Sequence, residues 1–455
     1  MPTHHADDET LAGTATAMQD AAPRPPQPHI PPLHLSRAVW FSLASIGAGM
    51  VFTFFNAQLP LYLNAYGVPH QLIGPLTNER SFAGALVLPF VGRMSDGART
   101  PLGKRRPFFL VGIPLMAAAL VLLGLHPPFW LMLTTVLLAG GFLFIALGPY
   151  QALMADITPE SQRGQVGGFM ALAGMVGAVL VSVLASFLWD RHAELVFFAT
   201  AGVLLLTFAV TFLTVREPAH HFGPPTRMRA PAILLAAPRL RPLPPPPKLS
   251  PLEYLRDVMR YKETGRYIAA MSLYWLAAGG ATPFITLFGT QTLHLNGNQA
   301  SQLFLVLVLS TAAGTVFVTL LADRLGKKRV LHAGLAVFVL AALAASAVQD
   351  VGQAIPVMVL AGLGNACPTA LGLALLIALI PRDRGGEFIG LASFVWSVVQ
   401  PLGSFFSGLL VDVMHSDRWA FGFAAVMMSL AVVALFFVHP SPALVAAEHG
   451  PTPGP

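Results

Sequence analysis

Glu79 and Arg80 stand side by side in the apolar stretch 71–93. At about 1.5 Å per residue, Glu79 lies roughly 4–5 Å from the middle of that stretch if it is a helix. An ionised carboxylate there is costly unless it pairs or meets water. Desolvation raises its pKa, so the group suits loading and unloading of a proton near neutrality. Successive helical residues point about 100° apart, so Arg80 does not simply face Glu79. Three chemistries fit the pair. Glu79 carries a proton, and Arg80 lowers its pKa when a second conformation brings them together. Alternatively Glu79 hydrogen-bonds a polar solute, or it makes a fixed ion pair to another helix.

A second group of side chains sits at comparable depth: Asn56, Gln58 and Tyr62, then Tyr274, Trp275, Thr282 and Thr286, then Asn365, Trp396 and Gln400. Amides and hydroxyls supply paired donors and acceptors, and aromatic rings supply a flat apolar platform. Trp396 and Gln400 are spaced i, i+4 and share a helix face. For any one of these residues, bonding between neighbouring helices is the plainer role, and for Trp275 it is packing. As a set spread over both halves of the chain, they fit a polar central cavity.

A third group clusters at stretch ends. One segment reads Gly92-Arg-Met-Ser-Asp96 followed by Gly103-Lys104-Arg105-Arg106-Pro107. Another reads Ala322-Asp323-Arg-Leu-Gly326-Lys327-Lys-Arg329. Each has a carboxylate at a helix end, a turn glycine and a basic triplet opening the next helix. The expected role is a latch. The carboxylates Asp96 and Asp323 accept bonds from basic side chains and face a helix N-terminus, where the dipole favours negative charge. Asp156 with Arg163 forms a similar cluster. The alternative for the basic residues is topology alone.

These residues need elements to position them. Of 455 residues, 55% are hydrophobic and 11% charged, far from the composition of a soluble enzyme or a disordered chain. The lone Cys367 excludes an internal disulfide. Twelve apolar stretches are long enough to cross a bilayer: 38–64, 71–93, 107–126, 129–154, 165–188, 194–215, 265–292, 300–321, 330–349, 355–380, 386–412 and 418–438. Twenty-four of the 27 Lys and Arg residues fall on one side of this alternation, which places both termini and residues 216–264 in the cytoplasm. Residues 1–35 and 439–455 read as disordered tails, 36–215 and 265–438 as two six-helix bundles, and 216–264 as a proline-rich central loop. Within that loop, 251–262 reads as a short amphipathic surface helix.

The halves repeat. Lys104 and Lys327 are 223 residues apart, and Arg163 and Arg384, each preceding a glycine, are 221 apart. Parallel six-helix halves flanking a site are a transporter architecture. The Asp…Gly-basic-basic-basic loop present in both halves resembles the signature of the major facilitator superfamily. That resemblance implies an all-α membrane fold of twelve helices in two pseudo-symmetric bundles. More narrowly, Asn56-Ala-Gln58-Leu-Pro60-Leu-Tyr62, Ser95-Asp96-Gly-Ala-Arg99 through Gly103-Lys-Arg-Arg-Pro-Phe, and Gly148-Pro149-Tyr150-Gln151 through Asp156-Ile-Thr-Pro159 are similar to the sucrose/proton symporters. They are similar at greater distance to the glycoside–pentoside–hexuronide symporters. The chain departs from the plant carriers at Gln151, where they have arginine, and at Gly140, aligned with their protonatable aspartate. The resemblance implies proton-coupled symport of a di- or oligosaccharide by a monomer in the plasma membrane. Proton-coupled efflux of amphiphiles is the alternative, although residues 167–177 lack the proline of the Gly-Pro-x-x-Gly-Gly antiporter motif. A non-transporting sensor is a further alternative.

No phosphate-cradling loop, metal-ligand spacing or nucleophile–base arrangement is legible. The expected partners are therefore a solute, protons and the bilayer, with no cofactor, no metal and no nucleic acid. If Glu79 carries the proton, Glu79→Gln abolishes gradient-driven transport in proteoliposomes and leaves counterflow exchange intact.

Overall fold

A computed structural model of the chain describes residues 34–78, 87–88, 90–92, 94–95, 98, 100, 102–159, 162–215, 261–380 and 385–439. Glu79, Arg80, Asp96, Arg384 and nearly all of the two tails and the central loop, including its expected surface helix, lie outside them. In a hydrocarbon slab every backbone polar group needs an internal partner, so apolar stretches become helices. Their order is α1 (Leu35–Ala65), α2 (beginning with His70–Thr77), α3 (Arg106–Gly124), α4 (Phe129–Ile157), α5 and α6 (within Arg163–Thr214), α7 (Lys262–Gln291), α8 (Gly297–Leu325), α9 (Lys327–Ala347), α10 (Val351–Leu379), α11 (Gly385–Met414) and α12 (Arg418–Phe436).

The helical run Arg163–Thr214 contains 52 residues. At 1.5 Å per residue it would extend about 78 Å, too long for one crossing. It breaks at His192, whose φ of −146° and ψ of 54° are not helical. The two arms, 163–191 and 193–214, both lie along α1. Gly174 and Gly177 of α5 meet the α1 backbone at Gly49 and Ile46, while Leu204 and Thr207 of α6 meet Gly47. The chain therefore doubles back, so this run supplies two membrane segments.

Several helices outrun their apolar cores because polar residues finish them. Asn296 caps α8 in a reciprocal box with Gln299, and Asp350 accepts from the Gln353 amide at the start of α10. Between α8 and α9 only Gly326 intervenes, at φ 87°, and Gly103 of the first repeat has φ 108°. Both turn glycines thus occupy the left-handed region that other residues avoid.

Each half centres one apolar core, and each core takes in residues across the seam, Phe284, Leu287, Val411 and Ala420 in the first and Ala57 in the second. One gathers Phe41, Phe54, Tyr150, Phe197 and Phe208, and the other Tyr267, Leu331, Phe388 and Met428. The packing pattern repeats: α1 on α5 and α6, as α7 on α11 and α12; α3 on α4 and α6, as α9 on α10 and α12. Across the halves, α5 packs on α8, α2 on α11, and α1 on α7, whereas α4 and α10 each pack within their own half.

The α1–α5 contact requires Gly177, because a Cβ there would collide with the Ile46 carbonyl. Gly177→Val is expected to cost at least about 2 kcal/mol, read as a lower unfolding temperature in detergent. Gly164→Ala, where a Cβ meets nothing within 4 Å, should leave it unchanged.

Candidate functional site: a cavity between the halves

Lined mostly by the second half, and by Thr53, Asn56, Met175 and Ala178 of the first, lies a cavity of about 290 Å³. Its walls come from α1, α5, α7, α8, α9, α10, α11 and α12. Of the 25 described residues that line it, none is charged; most are Ala, Leu, Ile, Val, Met and Phe. The polar ones are Thr53, Asn56, Thr282, Thr311, Asn365, Thr369 and Gln400, with Tyr274 and Trp275 adding polar tips.

Their hydrogen bonds decide what they can offer. Thr282, Thr311 and Thr369 donate to the carbonyls of Ala278, Leu307 and Asn365 at 2.7, 2.9 and 2.7 Å, so their oxygens retain acceptor capacity only. Asn56 Nδ2 donates to Phe52 O at 2.7 Å. Tyr274 donates to Asn365 Oδ1 at 2.7 Å, which fixes the Asn365 amide between α7 and α10. The Trp275 ring lies 5.2 Å from Tyr274 and 6.4 Å from Trp396, forming an aromatic wall.

Six sequence-selected residues thus meet in the cavity: Asn56, Tyr274, Trp275, Thr282, Asn365 and Gln400. Trp396 stands behind Trp275 and donates to Ile268 O at 3.4 Å. Gln58 and Tyr62 do not line it. Gln58 is fully buried, with neither amide atom hydrogen-bonded, a costly arrangement. Tyr62 is buried against Phe197, and its hydroxyl donates to Leu123 O at 2.7 Å, fastening α1 to α3. Its hydroxyl reads as solute chemistry in sequence, but a main-chain carbonyl 61 residues away satisfies it.

On the basic-loop face, Arg105 pairs with Asp156 at 3.1 Å, replacing the expected Asp156–Arg163 association. Arg163 instead donates to the carbonyls of Ala155 and Thr158 at 3.3 and 3.4 Å, at the end of α4. Arg106 donates to Phe212 O and covers the Phe212 ring. In the second repeat no latch is formed at Asp323. This carboxylate is exposed and makes no hydrogen bond or ion pair among the described residues, while Lys328 donates to Val438 O. Lys104 and Lys327 are half-buried, and Arg329 is exposed.

The opposite face is closed by an arrangement that sequence reasoning missed. Asp190, at the end of α5, accepts from the Gly297 and Asn298 amides at 2.8 and 3.0 Å and so caps α8 of the other half. Asp412, in α11, accepts from the Gln71 and His70 amides at 2.9 and 3.3 Å and caps α2. The two carboxylates are 222 residues apart, within the range of the repeat offsets. That spacing is the signal that could have found them. Beside Asp412 lies Asp417, almost fully buried, whose carboxyl burial pushes above the usual range against the opposing pull of His70 and Thr292.

A model described as Major Facilitator Superfamily matches residues 41–297 and 267–453. The chain belongs to this superfamily. It is therefore a multi-pass membrane protein and a secondary transporter, not an enzyme. Multidrug resistance protein MdtG of Enterobacter lignolyticus is 26% identical over 408 residues, covering 85% of this chain and 87% of that protein. MdtG of Escherichia fergusonii is 25% identical over 408 residues, covering 85% and 89%. These relatives bear the name of a drug-resistance protein, not of a sucrose symporter. The fold is also that of a bacterial homologue of the lysosomal transporter Spinster, solved inward-facing and unoccupied (TM-score 0.67, 14% identity, 89% and 95% covered). A D-xylose–proton symporter aligns with TM-score 0.65 at 14% identity, covering 88% and 98%.

The two aromatic positions separate by role. Trp275→Ala should weaken binding of an aromatic dye such as Hoechst 33342 to the purified transporter about tenfold. Tyr62→Phe should lower stability by about 1 kcal/mol and leave dye affinity unchanged.

Proposed function

We propose that this transporter exports apolar and amphiphilic compounds, including drugs, by proton-coupled alternating access. The observation that carries this reading is the cavity wall. Its described residues are uncharged, largely aliphatic and aromatic, with few hydrogen-bonding positions. A sugar presents hydroxyls around its rim and needs many directed partners. Here three of the threonine hydroxyl protons already belong to main-chain carbonyls. The drug-resistance names of the relatives support the same choice.

Proton-coupled sugar symport is the competing reading, favoured by the convergence of Asn56, Asn365 and Gln400. The missing antiporter proline in α5 weighs little, because Gly174 and Gly177 already allow the close α1–α5 approach. The basic-loop face is proposed to be cytoplasmic, which makes the present conformation closed to the outside. The bundles are proposed as 36–215 and 265–438, working as a monomer. Glu79 and Arg80 remain the proposed proton-coupling pair. Asp96, Gly103, Lys104, Arg105 and Arg106, with their second-half counterparts, remain the proposed inner gate, closing in the alternate state.

The deciding experiment is transport in proteoliposomes under an imposed proton gradient. Hoechst 33342 should move against the gradient, at least fivefold faster than with Asn365→Ala, and sucrose should not exchange. Sucrose counterflow without dye transport would establish the sugar reading instead.

A further inference from the structure

The two cross-half caps are built alike but differ in their surroundings. The Asp190 carboxylate accepts from main-chain amides of α8, its own amide donates to Asn298 Oδ1, and it makes no ion pair with a described residue. Asp412 meets the α2 amides and also the imidazole of His70, with Nδ1 2.8 Å from Oδ1. Across the ring, Nε2 lies 3.9 Å from Asp417 Oδ1. The Gln291 amide satisfies its neighbours when its nitrogen faces the Asp417 carboxylate at 3.2 and 3.3 Å. Its oxygen then accepts from His70 Nε2 at 3.3 Å and Asn64 Nδ2 at 3.1 Å. Nδ1 of His70 thus points at the Asp412 carboxylate, and Nε2 faces the Gln291 amide, whose nitrogen and oxygen lie 3.2 and 3.3 Å away, with the Asp417 carboxylate behind it; the doubly protonated ring is the form that both carboxylates attract.

The elements around His70 add few other charges. From α11 come Asp412 and, just beyond its end, His415, which lines the same polar chamber of about 450 Å³. Before α12 comes Asp417. Its neighbour Arg418 turns away, donating to Ser346 O at 2.9 Å and lying near the Phe288 ring. From α1 and α7 come only Asn64, Gln291 and Thr292, the last donating to Asp417 at 3.3 Å. Two carboxylates from one half thus face one histidine from the other, across a seam that must part when this face opens.

We propose that His70, Asp412 and Asp417 form a proton-binding site that holds this face of the transporter shut. The protonated imidazole joins α2 to α11 and to the start of α12. Loss of the proton leaves two carboxylates facing a ring with one donor, and the seam weakens. Histidine ordinarily changes charge between pH 5 and 8. The sign follows: the imidazolium stabilises the closed face, so closure is favoured at low pH and declines as pH rises. This site is distinct from the Glu79–Arg80 pair and does not depend on which solute is carried.

The test uses the full-length protein in lipid nanodiscs with spin labels at Leu125→Cys and Gln349→Cys. These two positions lie on the closed face, one on each half, away from the cluster; Cys367 is buried. Pulsed distance measurements should show the short-distance population gaining severalfold over the long one between pH 8 and pH 5. His70→Gln retains the amide contacts to Asp412 and should abolish that dependence. Asp417→Asn should reduce it, and serves if His70→Gln does not fold. A distance distribution independent of pH in the unsubstituted protein, or an undiminished dependence in the folded variants, would overturn the proposal.

Discussion

The arrangement of the whole molecule depends on two carboxylates, each reaching from one half to the helix N-terminus of the other. The first amides of a helix have no partner within it, and the helix dipole makes them attractive to an anion. Asp190 satisfies two such amides on α8, and Asp412 satisfies two on α2. Each contact contributes on the order of 1 kcal/mol, a modest term that can be made and broken in a cycle. Together they pin the two pseudo-symmetric contacts, α5 with α8 and α2 with α11, at one face. With those ends joined, the cavity lies against the seam, walled mostly by the second half.

What the cavity can bind follows from how its polar atoms are already used. Many threonine hydroxyls in a helix satisfy themselves on the preceding turn, and three of the four lining this cavity, Thr282, Thr311 and Thr369, do so. Tyr274 and Asn365 bind each other. The wall that remains is aromatic and aliphatic, with isolated polar positions, among them the unpartnered Trp275 Nε1 donor, and no described charge. Such a surface favours ligands that contribute area and few polar demands. Breadth of substrate fits this wall better than strict recognition of a polyol, because directed pairing discriminates strongly only where buried polar groups are left in need of a partner.

The fold was legible because hydrocarbon imposes so strong a rule. The apolar stretches and the turn glycines Gly103 and Gly326 follow from composition and spacing, and the described helices lie where the stretches predict. The site was legible in part. Asn56, Tyr274, Trp275, Thr282, Asn365 and Gln400 converge because polar groups at membrane depth face a cavity or a partner helix. Tyr62 and Gln58 went the other way, and nothing in residue type separates a tyrosine bonded to Leu123 O from one facing a solute. Arg105 took Asp156 in place of Arg163, since sequence proximity does not set which guanidinium reaches a carboxylate across helices. The caps escaped because their partners are backbone amides 107 and 341 residues away, which leave no side-chain signature. Only the offset between Asp190 and Asp412 betrayed them.

The account rests on those caps as the closure of one face. The most direct measurement is the distance between the ends of α5 and α8, and between α2 and α11, in the Asp190→Asn and Asp412→Asn double variant, by pulsed electron paramagnetic resonance in nanodiscs. An amide keeps the shape and removes the charge that the helix ends attract. The account predicts that both distances lengthen together in a larger fraction of molecules than in the unsubstituted protein. Unchanged distributions in a folded double variant would contradict it and place closure in the apolar contacts of the seam.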